Sequence, residues 1–159
     1  MNQLVKQLFL SLLGFWVCTV VSAQIVLVNN GKSKSRIVLT KETPVNRTAA
    51  NILQMFVQKI SGKNLPITLG QQALGKGDIW IDGELSSGVT EDGFSLSTKD
   101  GILRISGSGN GTVYGVVTLL EQYLGVDYWG ENEYSFNPAK TIELPLIDKI
   151  DNPAFRYRQ

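Results

Sequence analysis

Two stretches of this sequence repeat their apolar residues at helical spacing on a single stripe, and that restriction decides which layers the chain can build. Between Pro44 and Ile60, Ala49, Ile52, Phe56 and Ile60 share one face while Arg47, Asn51, Gln54 and Gln58 share the opposite one. Val113, Val116, Val117, Leu120 and Leu124 form the second stripe, with Thr118, Glu121 and Gln122 turned away. A helix with one apolar stripe buries it against one partner layer, so both helices are expected to cover a single face of a sheet. Thr43 and Pro44 read as the cap and first turn of the first helix, and Gly62 and Gly125 as the two stops.

The remaining apolar residues read as strands. Ile25 to Val28 and Arg36 to Leu39 are β-branched runs split by the turn-forming Asn29 to Ser35, and Leu65 to Leu69, Asp78 to Asp82 and Thr141 to Leu144 are further short runs. If Asp100-Gly101 is a two-residue turn, Leu96 faces Ile105, Ser97 faces Arg104 and Thr98 faces Leu103, giving one apolar and one polar face. The fold class this predicts is α+β, a mixed and largely antiparallel sheet with two amphipathic helices, rather than a doubly wound sheet.

With 159 residues, 43% hydrophobic and 18% charged, the chain has the makeup of one globular domain. Residues 1–23 read apart from it. Lys6 precedes an uncharged apolar run from Leu8 to Val21, and Val21-Ser22-Ala23 supplies small residues before Gln24. The run is shorter than the ~20 residues a spanning helix needs, so it is read as a secretory signal whose removal leaves Gln24 first. The implied location is secreted or periplasmic, with no membrane association after cleavage. Cys18, the sole cysteine, lies inside the signal and lacks the preceding small residue of a lipidation site, so the exported domain has no disulfides.

Removal of Lys6 leaves 14 basic residues against 14 acidic ones, which gives no basic field for nucleic acid or an anionic membrane. There is no histidine, which excludes Ser-His and Cys-His nucleophile pairs and the commonest metal ligand. Residues 24–144 are assigned to the domain and 145–159 to a connector that leads out of it. Phe155 and Tyr157 alternate with arginines in strand fashion, and no segment follows to pair with them.

Candidate chemistry is sparse. Tyr128 and Trp129, just past the second helix, are the candidate substrate-binding residues, because a flat aromatic in a loop can stack on a sugar face; packing is the competing role for Trp129. Glu131 and Glu133 are the nearest approach to a carboxylate pair and read as solvated surface acids, so no catalytic residue is assigned. Gly107 to Gly111 runs from a strand into a helix, but Thr112 stands where a dinucleotide loop needs glycine, and Asn110 reads as a side-chain cap. Trp80 points away from Ile79 and Ile81, either into core or onto an interdomain surface, and the triplets at Asn46 and Asn110 match the glycosylation acceptor pattern. No metal ligand set and no cofactor motif is found.

Four segments, Gln58 to Ile67, Asp92 to Leu96, Gly111 to Glu121 with its G-T-x-Y-G-x-x-T-L-L pattern, and Leu124 to Trp129, resemble the amino-terminal domain of α-glucuronidase-like glycoside hydrolases. The same module is similar to the small domain before the catalytic barrel of β-N-acetylhexosaminidases. Asn152-Pro153-Ala154-Phe155-Arg156-Tyr157-Arg158 resembles the passage into that barrel. The resemblance implies a zincin-like fold without a metal site, docked to a carboxy-terminal glycosidase barrel of the same parent protein that holds the catalytic carboxylates. It makes the chain a non-catalytic accessory domain in glycan breakdown; the alternative is a stand-alone secreted module that binds a glycan or a protein.

Overall fold

The computed structural model describes residues 25–70, 73–82, 85–130 and 133–153. Residues 1–23, read from the sequence as a secretory signal, and Glu131, Phe155 and Tyr157 lie outside the described residues. Within them the chain forms strands β1 (Ile25–Asn29), β2 (Lys32–Ser33) and β3 (Ile37–Leu39), helix α1 (Pro44–Ser61), and strands β4 (Ile67–Leu69), β5 (Ile79–Ile81), β6 (Phe94–Lys99) and β7 (Ile102–Gly107). Helix α2 (Gly111–Leu124) and strands β8 (Asp127–Gly130), β9 (Glu133–Ser135), β10 (Ile142–Leu144) and β11 (Asp148–Asp151) complete it.

Six strands form the main sheet in the order β11-β6-β7-β5-β3-β4, and smaller sheets join β10-β1-β2 and β8-β9. The sheet is mixed. β4, β3, β5 and β7 run parallel, whereas β6 and β11 are antiparallel to their neighbours. Antiparallel pairings outnumber parallel ones over the three sheets, and the α+β expectation holds. The parallel centre arises because β3 feeds α1, which returns the chain to β4 at the neighbouring position. All three β3 residues are buried, as a strand covered on both faces requires.

The β6–β7 hairpin has the expected register, with Leu96 opposite Ile105, Ser97 opposite Arg104 and Thr98 opposite Leu103. Asp100 and Gly101 both adopt positive φ, 54° and 77°, the geometry that matches a two-residue turn to strand twist. Ile37, Leu39, Ile79, Ile81, Leu96, Leu103 and Ile105 are all fully buried, and the two helices close over this one apolar face. Burial of the core is the main term holding such a domain together, at roughly 25 cal/mol per Å² of apolar surface.

The caps of α1 form as expected. Thr43 Oγ1 accepts the Asn46 N–H at 3.1 Å, Pro44 occupies the first turn, and Gly62 ends the helix at φ 71°. The stripes differ in detail. Leu53, Ala50 and Val57 are fully buried on α1 while Ile52 lies at the stripe's edge. On α2 the deepest positions are Gly115, Val116, Leu119 and Leu120, because Gly115 brings the helix so near the sheet that a Cβ there would sit 3.2 Å from the Phe94 ring.

The segment from Pro145, read from the sequence as a connector, begins inside the domain. Ile147 is buried and exchanges bonds with Thr98, and β11 pairs with β6 from Asp148 to Asp151. The Asn29–Ser35 turn also holds more order than expected: β2 folds back on β1, so β1 and β3 belong to different sheets.

Candidate functional site

The residues that follow α2 build an aromatic hairpin on the helix layer. Gly125 at φ 64° stops the helix, and the Val126 N–H reaches back to the Leu120 carbonyl at 3.0 Å. The chain then runs straight into β8, which pairs with β9 and sets Tyr128 opposite Tyr134. Successive residues of a strand point to opposite sides, and this alternation separates the two candidate residues.

Tyr128 turns one edge toward the helix layer and keeps 38% of its surface exposed. Its ring meets Phe56 of α1 edge-on at 5.5 Å, and Phe56 meets Tyr134 in the same way at 5.1 Å. Tyr134 also stacks on Phe136 at 6.2 Å, and its hydroxyl accepts a bond from Lys59 of α1. Partial burial, and secondarily the nearby Glu121 carboxylate and Tyr134, hold the Tyr128 phenol above the usual tyrosine range, so it remains a neutral hydroxyl.

Trp129 faces outward and is 75% exposed, and its Nε1–H lies 3.5 Å from Ser135 Oγ. An open indole on an anchored hairpin is a surface that can take the apolar face of a ring or of a partner protein. Glu133 is exposed on β9. The supporting residues Phe56, Lys59, Tyr134 and Phe136 were not assigned to a site from the sequence; the period-two spacing of Tyr134 and Phe136 was the available signal.

The glycine loop between β7 and α2 is closed by the protein itself. A Cβ on Gly111 would overlap the Gly93 carbonyl oxygen, and one on Gly109 would overlap the Asp92 carboxylate. Asp92 Oδ1 accepts the Asn110 N–H at 2.9 Å, so a resident carboxylate stands where a phosphate would be placed. The expected side-chain cap from Asn110 is not made; Asn110 takes the N-cap position without a side-chain bond, and Asp92 supplies the acceptor.

On the opposite face of the main sheet Trp80 is half-buried, with Arg104 4.5 Å above its ring and Thr40 bonded to its Nε1. The buried carboxylates Asp78 and Asp82 are ion-paired with Arg36 and Arg104 respectively. Neither is placed as a free acid. Asn46 is buried, with its amide donating to the Lys41 carbonyl at 3.1 Å, which removes it as a glycosylation acceptor. Among the described residues no group of three or more acidic, histidine or cysteine side chains is positioned to hold a metal ion, and no helix is long and apolar enough to cross a membrane.

No protein-family model and no curated protein sequence matches the chain. Its fold does match solved structures. An N-acetyl-β-hexosaminidase from Streptomyces plicatus aligns over 86% of this chain and 25% of its own length, with a TM-score of 0.60 and 15% identity. The GH20 β-N-acetylhexosaminidase of Streptomyces coelicolor A3(2) gives 0.54 and 15% identity over 84% of this chain and 24% of that one. The GH20 exo-β-N-acetylglucosaminidase of Vibrio harveyi gives 0.52 and 20% identity over 85% and 18%. The chain therefore spans a quarter or less of these enzymes. In fold it is similar to a small domain within larger glycoside hydrolases of the GH20 type.

Proposed function

We propose that this chain is the non-catalytic amino-terminal domain of an exported, α-glucuronidase-like glycoside hydrolase that acts on polysaccharides or other glycans. The observation that supports an accessory domain of a glycosidase is the fold likeness to a minor portion of larger glycosidases; the α-glucuronidase-like and exported parts of the reading rest on the sequence resemblance and the amino-terminal segment. The pairing of both buried aspartates with arginines supports a non-catalytic role, since a glycosidase acid is a carboxyl kept protonated by an apolar setting. Its partner is then a catalytic barrel that follows it in the parent protein, and its location is outside the cytoplasm, secreted or periplasmic.

In this reading Trp129 is lent to the neighbouring substrate cleft, with Tyr128 as its inward anchor. Trp129→Ala in the parent enzyme is expected to raise KM or weaken substrate binding while leaving the melting temperature nearly unchanged. A drop in melting temperature with unchanged substrate binding supports packing against the barrel instead. The 75% exposure of Trp129 also favours a second reading, a stand-alone glycan- or protein-binding module. Glycan-array binding by residues 24–159, lost on Trp129→Ala, would select it.

A further inference from the structure

Strand β8 does not pair regularly with β9. Tyr128 lies opposite Tyr134 and Gly130 opposite Glu133, so β8 takes two steps where β9 takes one, and Trp129 is the extra residue of a bulge. A bulge re-aims a side chain out of the ladder. Here it leaves the indole 75% exposed while its Nε1–H stays 3.5 Å from Ser135 Oγ.

Tyr128 and Tyr134 meet Phe56 on one side of the hairpin, and Trp129 lies with Ser135 on the other. Two carboxylates share that outer side. Asp127 is exposed and paired with Ser135, two residues and about 7 Å along the strand from Trp129. Glu133 alternates with Tyr134, and a Cβ on Gly130 would lie 3.6 Å from its Oε2, which sets this carboxylate over the residue next to Trp129. Lys59 serves the inner side, where it donates to the Tyr134 hydroxyl, and the carboxylate of Glu121 stands near the Tyr128 phenol.

We propose that Trp129, Asp127 and Glu133 form a subsite for an uncharged sugar unit, in which the two carboxylates determine specificity by excluding uronates. The apolar face of a sugar ring stacks on the indole, and its hydroxyls donate to the carboxylate oxygens, which only accept. A uronate in the same place would bring its own charge within the ~10 Å over which two like charges act on it at 0.1 M salt. The inference rests on the reading in which Trp129 meets a glycan, and it deepens that reading: in a chain that carries glucuronate, this hairpin takes the neutral units and leaves the charged ones to the catalytic domain.

The test is calorimetric titration of the full chain at low salt with the uncharged N-acetylchitohexaose and cellohexaose and with the charged hexagalacturonate, all of equal length. At least one of the uncharged pair is expected to bind, with binding lost in W129A, and hexagalacturonate is expected to bind at least about threefold more weakly. D127N/E133Q is expected to reduce that gap to under about twofold, and ~1 M salt, which screens charges beyond ~3 Å, is expected to narrow it in the wild type. Hexagalacturonate bound through Trp129 as tightly as the neutral oligomers, or more tightly, overturns the exclusion of uronates and leaves the glycan reading of Trp129 intact. A gap that D127N/E133Q does not narrow overturns the role of the two carboxylates. Failure of all the oligomers to bind, or binding that W129A does not weaken, overturns the inference together with the glycan reading.

Discussion

Asp92 accepts the backbone N–H of Asn110 at 2.9 Å, so the start of α2 is capped from a turn eighteen residues earlier in the chain. Asp92 itself sits at φ 57°, a left-handed conformation that aspartate and asparagine tolerate better than most residues. Asp92→Ala is therefore expected to cost about 1–2 kcal/mol, from the lost cap acceptor and the added backbone strain. Asp92→Asn keeps an acceptor and the tolerance, and should cost well under half of that. Urea midpoints of the two variants check the ranking.

The glycines at the two ends of α2 separate steric space from backbone conformation. Gly111 faces the Gly93 carbonyl with no room for a Cβ, whereas Gly125 has open space around it and a φ of 64°. Gly111→Ala is expected to cost about 3 kcal/mol or more, since backbone must move. Gly125→Ala should cost about 1–2 kcal/mol, the ordinary strain of a left-handed alanine. Equal losses in chemical denaturation would contradict the close approach.

Phe56 and Trp129 should behave in opposite ways. Phe56 is 2% exposed and holds both Tyr128 and Tyr134, so Phe56→Ala is expected to cost about 3–5 kcal/mol and to flatten the near-UV circular dichroism of the hairpin tyrosines. Trp129→Ala removes an exposed ring and should change stability by no more than about 0.5 kcal/mol.

Tyr128 gives the domain an alkaline dependence. Its folded-state value lies above the usual tyrosine range, chiefly through partial burial. Folding thus favours the neutral phenol, a contribution that is complete below the unfolded tyrosine value of about 10 and is lost as pH rises through the folded value. Stability is expected to fall more steeply above pH 10 in the wild type than in Tyr128→Phe, measured by urea unfolding across that range.

The parts of the fold legible in the sequence are those written in local chemistry. Asp100-Gly101 and the alternation around it fix the β6–β7 register, and Thr43, Pro44 and Gly62 fix the ends of α1. The parallel centre was not legible, because β3, β4 and β5 span three residues each and carry too few positions to display a period. The Asp92 cap was hidden for another reason: its partner is distant in sequence, and Asn110 offered a plausible local acceptor in its place. Tyr128 and Trp129 were recognised as a pair, but which of them turns inward depends on the pairing of β8 with β9 and on Phe56, neither of which leaves a local signature.

The most direct measurement is hydrolysis by the isolated chain. Residues 24–159, purified and incubated with aryl N-acetyl-β-glucosaminide and aryl glucuronide, are expected to release no aglycone above the uncatalysed background. Turnover that is abolished by Glu131→Gln or Glu133→Gln would place the chemistry in this domain and contradict its role as an accessory to a barrel.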